Sequence, residues 1–176
     1  MQTLQIGVLG PSESNLPTDL VLRTKLLQDA ETVGRLIAQE RAILITGGMD
    51  GAMEVSCKGA REAGGITIGT PGRDRGMCNP HVLIEICTPI DVGDFLFAGS
   101  LSCDALIVFP GGAGTLAEVA LTYRFRKPMV IMRGFNEWYD KLVGKPLDQS
   151  SNKLAFLGAD TPEEAVTKAI SCTRSS

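Results

Sequence analysis

Two rhythms of apolar and polar positions take turns along the chain. Residues 5–10 form a short β-prone run that ends at Gly10, Pro11 and Ser12. Leu22, Leu26, Ala30, Val33 and Ile37 then recur at spacings of three and four with charges between them, which predicts an amphipathic helix. Residues 41–46 are almost continuously apolar, as expected of a strand covered on both faces. They run into Gly47, Gly48, Met49, Asp50 and Gly51; a helix is predicted from Ala52 to Ala63, stopped by Gly64 and Gly65. Residues 66–70 read as a third strand, the turn-rich segment 71–80 carries Arg73 and Arg75, and residues 83–87 read as a fourth strand. A short apolar helix is predicted near residues 95–101 and a strand over 104–109, followed by a helix to about Arg126 and a strand over 127–132. Helices around 138–143 and after Thr161 complete the pattern.

This alternation predicts a single-domain α/β fold, Rossmann-like and doubly wound, with a mainly parallel sheet and helices on both faces. Right-handed crossovers place every strand-to-helix loop on one edge of such a sheet. A closed eightfold barrel needs roughly 200 residues or more, and the chain has 176. No linker or internal repeat divides residues 1–176, and residues 171–176 read as a frayed tail. A net charge of −3 supplies no broad positive field, which argues against a nucleic-acid partner. No apolar run approaches the ~20 residues of a membrane helix, and the first residues lack a basic stretch followed by a long apolar one. Five cysteines, an odd number without a Cys-x-x-Cys pair, suit reduced thiols better than a disulfide framework or a zinc site. The expectation is a cytoplasmic protein with no metal and no membrane partner.

Three glycine-rich loops follow strands and so should face one side: Gly10 with Ser12; Gly47, Gly48 and Gly51; and Gly111, Gly112 and Gly114 with Thr115. In open sheets the ligand crevice lies outside the carboxyl ends of the strands, where the strand order reverses. Glycine lets a ligand approach the backbone, and free amides at a helix start favour an anion. A phosphorylated small molecule is the natural guest. Gly112 to Ala117 also satisfies G-x-G-x-x-A, but on a late strand, which argues against a dinucleotide. No Walker loop is present. Each loop could instead be a tight turn that packs a helix against a strand.

Glu118 follows Thr115 by three residues, which is also the spacing of a capping box. Thr161 and Glu164 repeat it around Pro162 without glycines, and there capping suffices. A carboxylate beside an anion site would repel phosphate unless aimed elsewhere, at a sugar hydroxyl or a cationic sugar-like transition state. Both roles stay open for Glu118.

The run from Pro110 to Glu118 resembles the P-G-G-x-G-T-x-x-E signature of the LONELY GUY (LOG) family, and the likeness extends over roughly Ile6 to Met132. The resemblance implies a Rossmann-like fold, a homodimer or higher homo-oligomer, and release of a base and ribose 5-phosphate from a nucleoside 5′-monophosphate. It implies phosphate-holding roles for Gly111, Gly112, Gly114 and Thr115, with Glu118 as the catalytic carboxylate acting beside an arginine. The position matching that arginine is Phe95. Without it, the chain is more similar to the molybdenum cofactor carrier proteins and their relatives, which share the glycine loops and the terminal helix. That likeness implies a binder or carrier of a nucleotide monophosphate or molybdopterin-type ligand, with no cofactor required for catalysis. Arg73 or Arg75 could reach the site as auxiliary cations, although solvation is the simpler role.

The remaining reactive residues point to no other chemistry. His81 stands alone, no G-x-S-x-G elbow appears, and nothing marks Lys127 or Lys141 as a Schiff-base lysine. Cys87 and Cys103 border apolar strands and read as buried packing. Trp138 and Tyr139 read as core or dimer packing.

Overall fold

The computed structural model describes residues 3–89, 98–148 and 154–173. Its strands are β1 (Gln5–Leu9), β2 (Ile43–Thr46), β3 (Thr67–Gly72), β4 (Ile84–Cys87), β5 (Ala105–Val108), β6 (Met129–Met132) and β7 (Leu157–Ala159). They form one sheet in the order β4-β3-β2-β1-β5-β6-β7, with every neighbouring pair parallel. The α-helices among the described residues are α1 (Leu20–Gln39), α2 (Ala52–Glu62), α3 (Ser100–Ser102), α4 (Ala113–Arg124), α5 (Glu137–Asp140) and α6 (Pro162–Thr173), and a 3-10 turn covers Glu13–Asn15. This is the expected doubly wound, Rossmann-like arrangement.

Burial follows the sequence pattern. Every residue of β5 and β6 is buried, because helices cover both faces. One core packs Leu26, Ala30, Val33 and Ile37 of α1 with apolar residues of α2 and α6 against Ile6, Val8, Leu44 and Ile107. The opposite core packs Val119 and Tyr123 of α4 and Tyr139 of α5 against Leu9, Leu106, Val108 and Ile131.

Four details depart from the pattern of the sequence. β7 has no local strand signal, being three residues that include a glycine; its place comes from pairing with β6, Val130 to Leu157 through Met132 to Ala159. β4 resembles the other strands in sequence, but it is the sheet edge and leaves Ile84 and Ile86 44% and 45% exposed. Cys87 is exposed at its end, which corrects the expectation of buried packing, whereas Cys103 is buried as expected. α6 runs through Ser171 to Thr173, where the composition suggests a frayed tail; residues 174–176 lie outside the described residues.

The strand order fixes where a ligand can sit. From β1 the chain builds outward through β2, β3 and β4, then returns to the other side of β1 with β5 and builds through β6 to β7. The reversal lies between β1 and β5. The crevice expected of such sheets therefore opens at the carboxyl ends of those two strands, which carry the first and third glycine loops.

Candidate anion site

A cavity of ≈ 140 Å³ lies at that crevice. The loop after β1 contributes Gly10, Pro11, Ser12 and Asn15, and the start of α4 contributes Gly112, Gly114, Thr115 and Glu118. Met53, from the first turn of α2, closes the remaining side.

The α4 start is open. Its capping position is Gly112, which has no side chain to offer and makes no side-chain cap. The first bond onto that turn is Leu116 N–H to the Gly112 carbonyl at 3.0 Å. Among the described residues, none accepts a hydrogen bond from the amides of Gly112, Ala113 or Gly114. Those amides, with the positive end of the helix dipole, make an electropositive seat. A Cβ on Gly114 would meet nothing within 4 Å, so its backbone faces free space. Gly111 is different: a Cβ there would strike the Thr115 hydroxyl and come within 3.2 Å of the Pro11 nitrogen. Only glycine lets the two loops close on each other there.

Glu118 stands one turn beyond Gly114 and Thr115, on the same helix face. The capping-box role is excluded, because Thr115 is already the third residue of α4. Burial pushes its carboxyl up to about 7. Near neutral pH it is therefore protonated for part of the time, and a protonated carboxyl can donate a hydrogen bond to an anion rather than repel it. This lessens the electrostatic conflict between a carboxylate and a phosphate in one cavity.

Asn15 braces the first loop over the seat. Its Nδ2 donates to Ser12 Oγ at 2.9 Å and Ser14 Oγ at 3.2 Å, and its Oδ1 would lie 3.2 Å from a Cβ at Gly112. Neither Asn15 nor Met53 is among the residues that the sequence marks for the site. The polar run that follows Gly10 hints at Asn15, but Met53 reaches the cavity only through the packing of α2 and carries no local signal.

The loop after β2 does not join the cavity, which corrects the expectation for Gly47, Gly48 and Gly51. Gly47 and Gly48 are buried. Asn79 Nδ2 donates to the Gly48 and Met49 carbonyls at 2.9 Å, and Cys78 packs where a Gly48 Cβ would lie. The first amide of α2, Ala52 N–H, donates to the Pro11 carbonyl at 3.0 Å, and Asp50 accepts from Glu13 N–H at 2.9 Å. Gly51, with φ of 66°, lies against Pro11 and Ser12. The protein thus supplies an acceptor to the first amide of α2, and this loop buttresses the one after β1. The physical reason is position, since β2 lies one strand away from the reversal.

Arg73 and Arg75 also lie outside the cavity lining. Arg73 donates to the Pro89 carbonyl at 2.9 Å, and Arg75 acts on Glu85. Phe95 lies outside the described residues. The backbone of His81 is used in the turn before β4. Burial pushes the Cys103 thiol up to about 12, which suits packing and not nucleophilic attack. No group of His, Cys, Asp and Glu among the described residues could hold a metal ion.

The whole molecule has known counterparts. The model of the SLOG cluster4 family matches residues 3–166. An uncharacterised protein of Archaeoglobus fulgidus is 32% identical, with 97% of each chain covered. The molybdenum cofactor binding protein of the phototrophic bacterium Rippkaea orientalis superposes with a TM-score of 0.81 at 32% identity, covering 97% of this chain and 98% of that one. The molybdenum cofactor carrier protein of Chlamydomonas reinhardtii superposes with a TM-score of 0.82 at 29% identity, covering 98% and 99%.

Proposed function

The chain belongs to the SLOG cluster4 family, and from that premise we propose that it binds, as a carrier, a phosphorylated cofactor of the nucleotide or molybdopterin kind. The observation that carries this reading is the α4 start, where three amides have no protein acceptor among the described residues and two of their residues, Gly112 and Gly114, line a cavity at the strand-order reversal. A phosphate there would accept from the Gly112, Ala113 and Gly114 amides and from the Thr115 hydroxyl. The protonated Glu118 would donate to one further oxygen. At ≈ 140 Å³, the cavity is smaller than the ~300–1,000 Å³ of a site that encloses a drug-sized ligand. It suits the phosphate end, with the ring system extending from the mouth past Met53 and Asn15. Carrying demands no more than this, and the likeness to two molybdenum cofactor proteins supports it.

A second reading has one observation in its favour. A carboxyl held up to about 7 is suited to general acid–base work, so Glu118 could serve cleavage of an N-glycosidic bond in a nucleoside 5′-monophosphate. One experiment separates the two. Purified protein is titrated with nucleoside 5′-monophosphates and a pterin monophosphate by calorimetry, and released base is measured in the same samples. The carrier reading expects binding without base release, and binding weakened by Gly114→Ala, which puts a methyl on backbone that lines the cavity. Base release abolished by Glu118→Gln would replace the carrier reading with the hydrolase one. No binding of any of these ligands would defeat both.

A further inference from the structure

The seat offers an acceptor beside its donors. Asn15 ends the 3-10 turn, and its backbone N–H donates to the Ser12 carbonyl at 2.9 Å. Both hydrogens of its side-chain Nδ2 are committed, one to Ser12 Oγ at 2.9 Å and the other to Ser14 Oγ at 3.2 Å. Those two hydroxyls lie 3.3 Å apart, so the three side chains hold one another. What Asn15 turns toward Gly112 is therefore its carbonyl. Oδ1 is the heavy atom nearest to where a Gly112 Cβ would stand, at 3.2 Å, with Cγ behind it at 3.6 Å. Asn15 and Gly112 both line the cavity, and no group among the described residues donates to Oδ1. Thr115, in the same lining, is 5% exposed, and its hydroxyl has no hydrogen-bond partner among the described residues.

The charge of the lining points the same way. Among the described residues that line the cavity none is Lys, Arg or His, and the one titratable side chain is Glu118. Amides and a helix dipole equivalent to roughly half a positive charge face an anion there. A second negative charge would leave water without a cation to meet it, which is costly. A fully ionised oxyanion also has no hydrogen to give. One of its oxygens would stand against Asn15 Oδ1, and that carbonyl would lose its water with nothing in return. A singly charged phosphate keeps a P–OH, and the same contact becomes a hydrogen bond.

Resting on the anion-binding reading of the site, we infer that Asn15 is a specificity-determining residue: its Oδ1 accepts from the P–OH of a singly charged phosphate. The seat thereby selects a phosphate monoester in that form and rejects the doubly charged sulfate ion.

The test titrates inorganic phosphate and sulfate by calorimetry into wild type, Asn15→Ala and Asn15→Asp. Mildly acidic buffer keeps phosphate singly charged and sulfate doubly charged. Wild type is expected to bind phosphate about 10-fold more tightly than sulfate, the scale of one satisfied against one unpaired acceptor. Asn15→Ala removes the acceptor and should shrink that ratio to about 3-fold or less. Asn15→Asp keeps an oxygen toward Gly112 and should keep the preference. The ratio is the readout, because loss of the brace to Ser12 and Ser14 alone would weaken both anions together. Should Asn15→Ala fail to fold, the wild-type and Asn15→Asp ratios decide. Equal affinities in wild type, or tighter sulfate, overturn the inference while the anion site stands. So does a ratio that Asn15→Ala leaves unchanged, or one that Asn15→Asp abolishes. Absence of binding of both anions by wild type removes the site reading itself and this inference with it.

Discussion

The chain spells Thr-x-x-Glu twice at a helix start, at Thr115 to Glu118 and at Thr161 to Glu164, and folds them to opposite ends. At α6, Thr161 precedes the first helical residue. Glu164 N–H donates to Thr161 Oγ1 at 3.2 Å, and the Glu164 carboxylate accepts from Asp160 N–H at 2.8 Å. Lys168, 2.6 Å away, and that amide hold the carboxylate below its usual range. At α4 the helix begins two residues before Thr115, with glycine at the cap, so Thr115 and Glu118 fall on the wall of a cavity. Burial then drives the Glu118 carboxyl up to about 7. What separates the two segments is the identity of the capping residue. Threonine at the cap satisfies the helix end from within, whereas glycine leaves it open to a ligand.

Charge removal should break this comparison most visibly. Glu118 has a folded value above its ordinary 4.5, so the folded state holds the proton more tightly than the unfolded chain. Stability contributed by the protonated form is complete below 4.5 and falls as pH rises toward 7. The full rise corresponds to at most roughly 3 kcal/mol. Glu118→Gln should therefore raise the melting temperature at pH 8 and leave it nearly unchanged at pH 4. Glu164 has the opposite sign: its folded value is lowered, so its contribution is present above the ordinary carboxylate value and is lost as pH falls through the folded one. Glu164→Gln should lower the melting temperature at pH 7, with the difference vanishing in acid. Melting curves across pH check both, and parallel behaviour of the two variants would break the contrast.

A smaller effect sharpens it. Thr161→Ala removes a capping oxygen and should cost about 1 kcal/mol in denaturant unfolding, with phosphate affinity untouched. Thr115→Ala removes no cap, so its main effect should be on affinity, with phosphate binding weakened a few-fold by the lost hydroxyl donor.

Much of the fold is legible in the sequence because strands covered on both faces read as continuous apolar runs, as residues 41–46 and 104–109 do. β7 is not, because Leu157, Gly158 and Ala159 become a strand only through pairing with β6. The loop after β5 is legible as the candidate site from its glycines and Thr115, and Gly112, Gly114 and Thr115 do line the cavity. The loop after β2 is just as rich in glycine, and only the strand order shows that β2 lies away from the reversal, with the Pro11 carbonyl accepting from the first amide of α2. Met53 is invisible for a related reason: it converges on the site through packing, with no local motif to mark it. Tyr139 reads as packing, which its ring performs; its unpaired hydroxyl appears only in three dimensions.

The most direct measurement of the central claim is an amide chemical-shift titration of the wild-type protein with inorganic phosphate. The account predicts that the largest shifts fall on Gly112, Ala113, Gly114 and Thr115, while Gly47, Gly48 and Gly51 stay nearly still. Shifts concentrated on the loop after β2, or none at the start of α4, would contradict it.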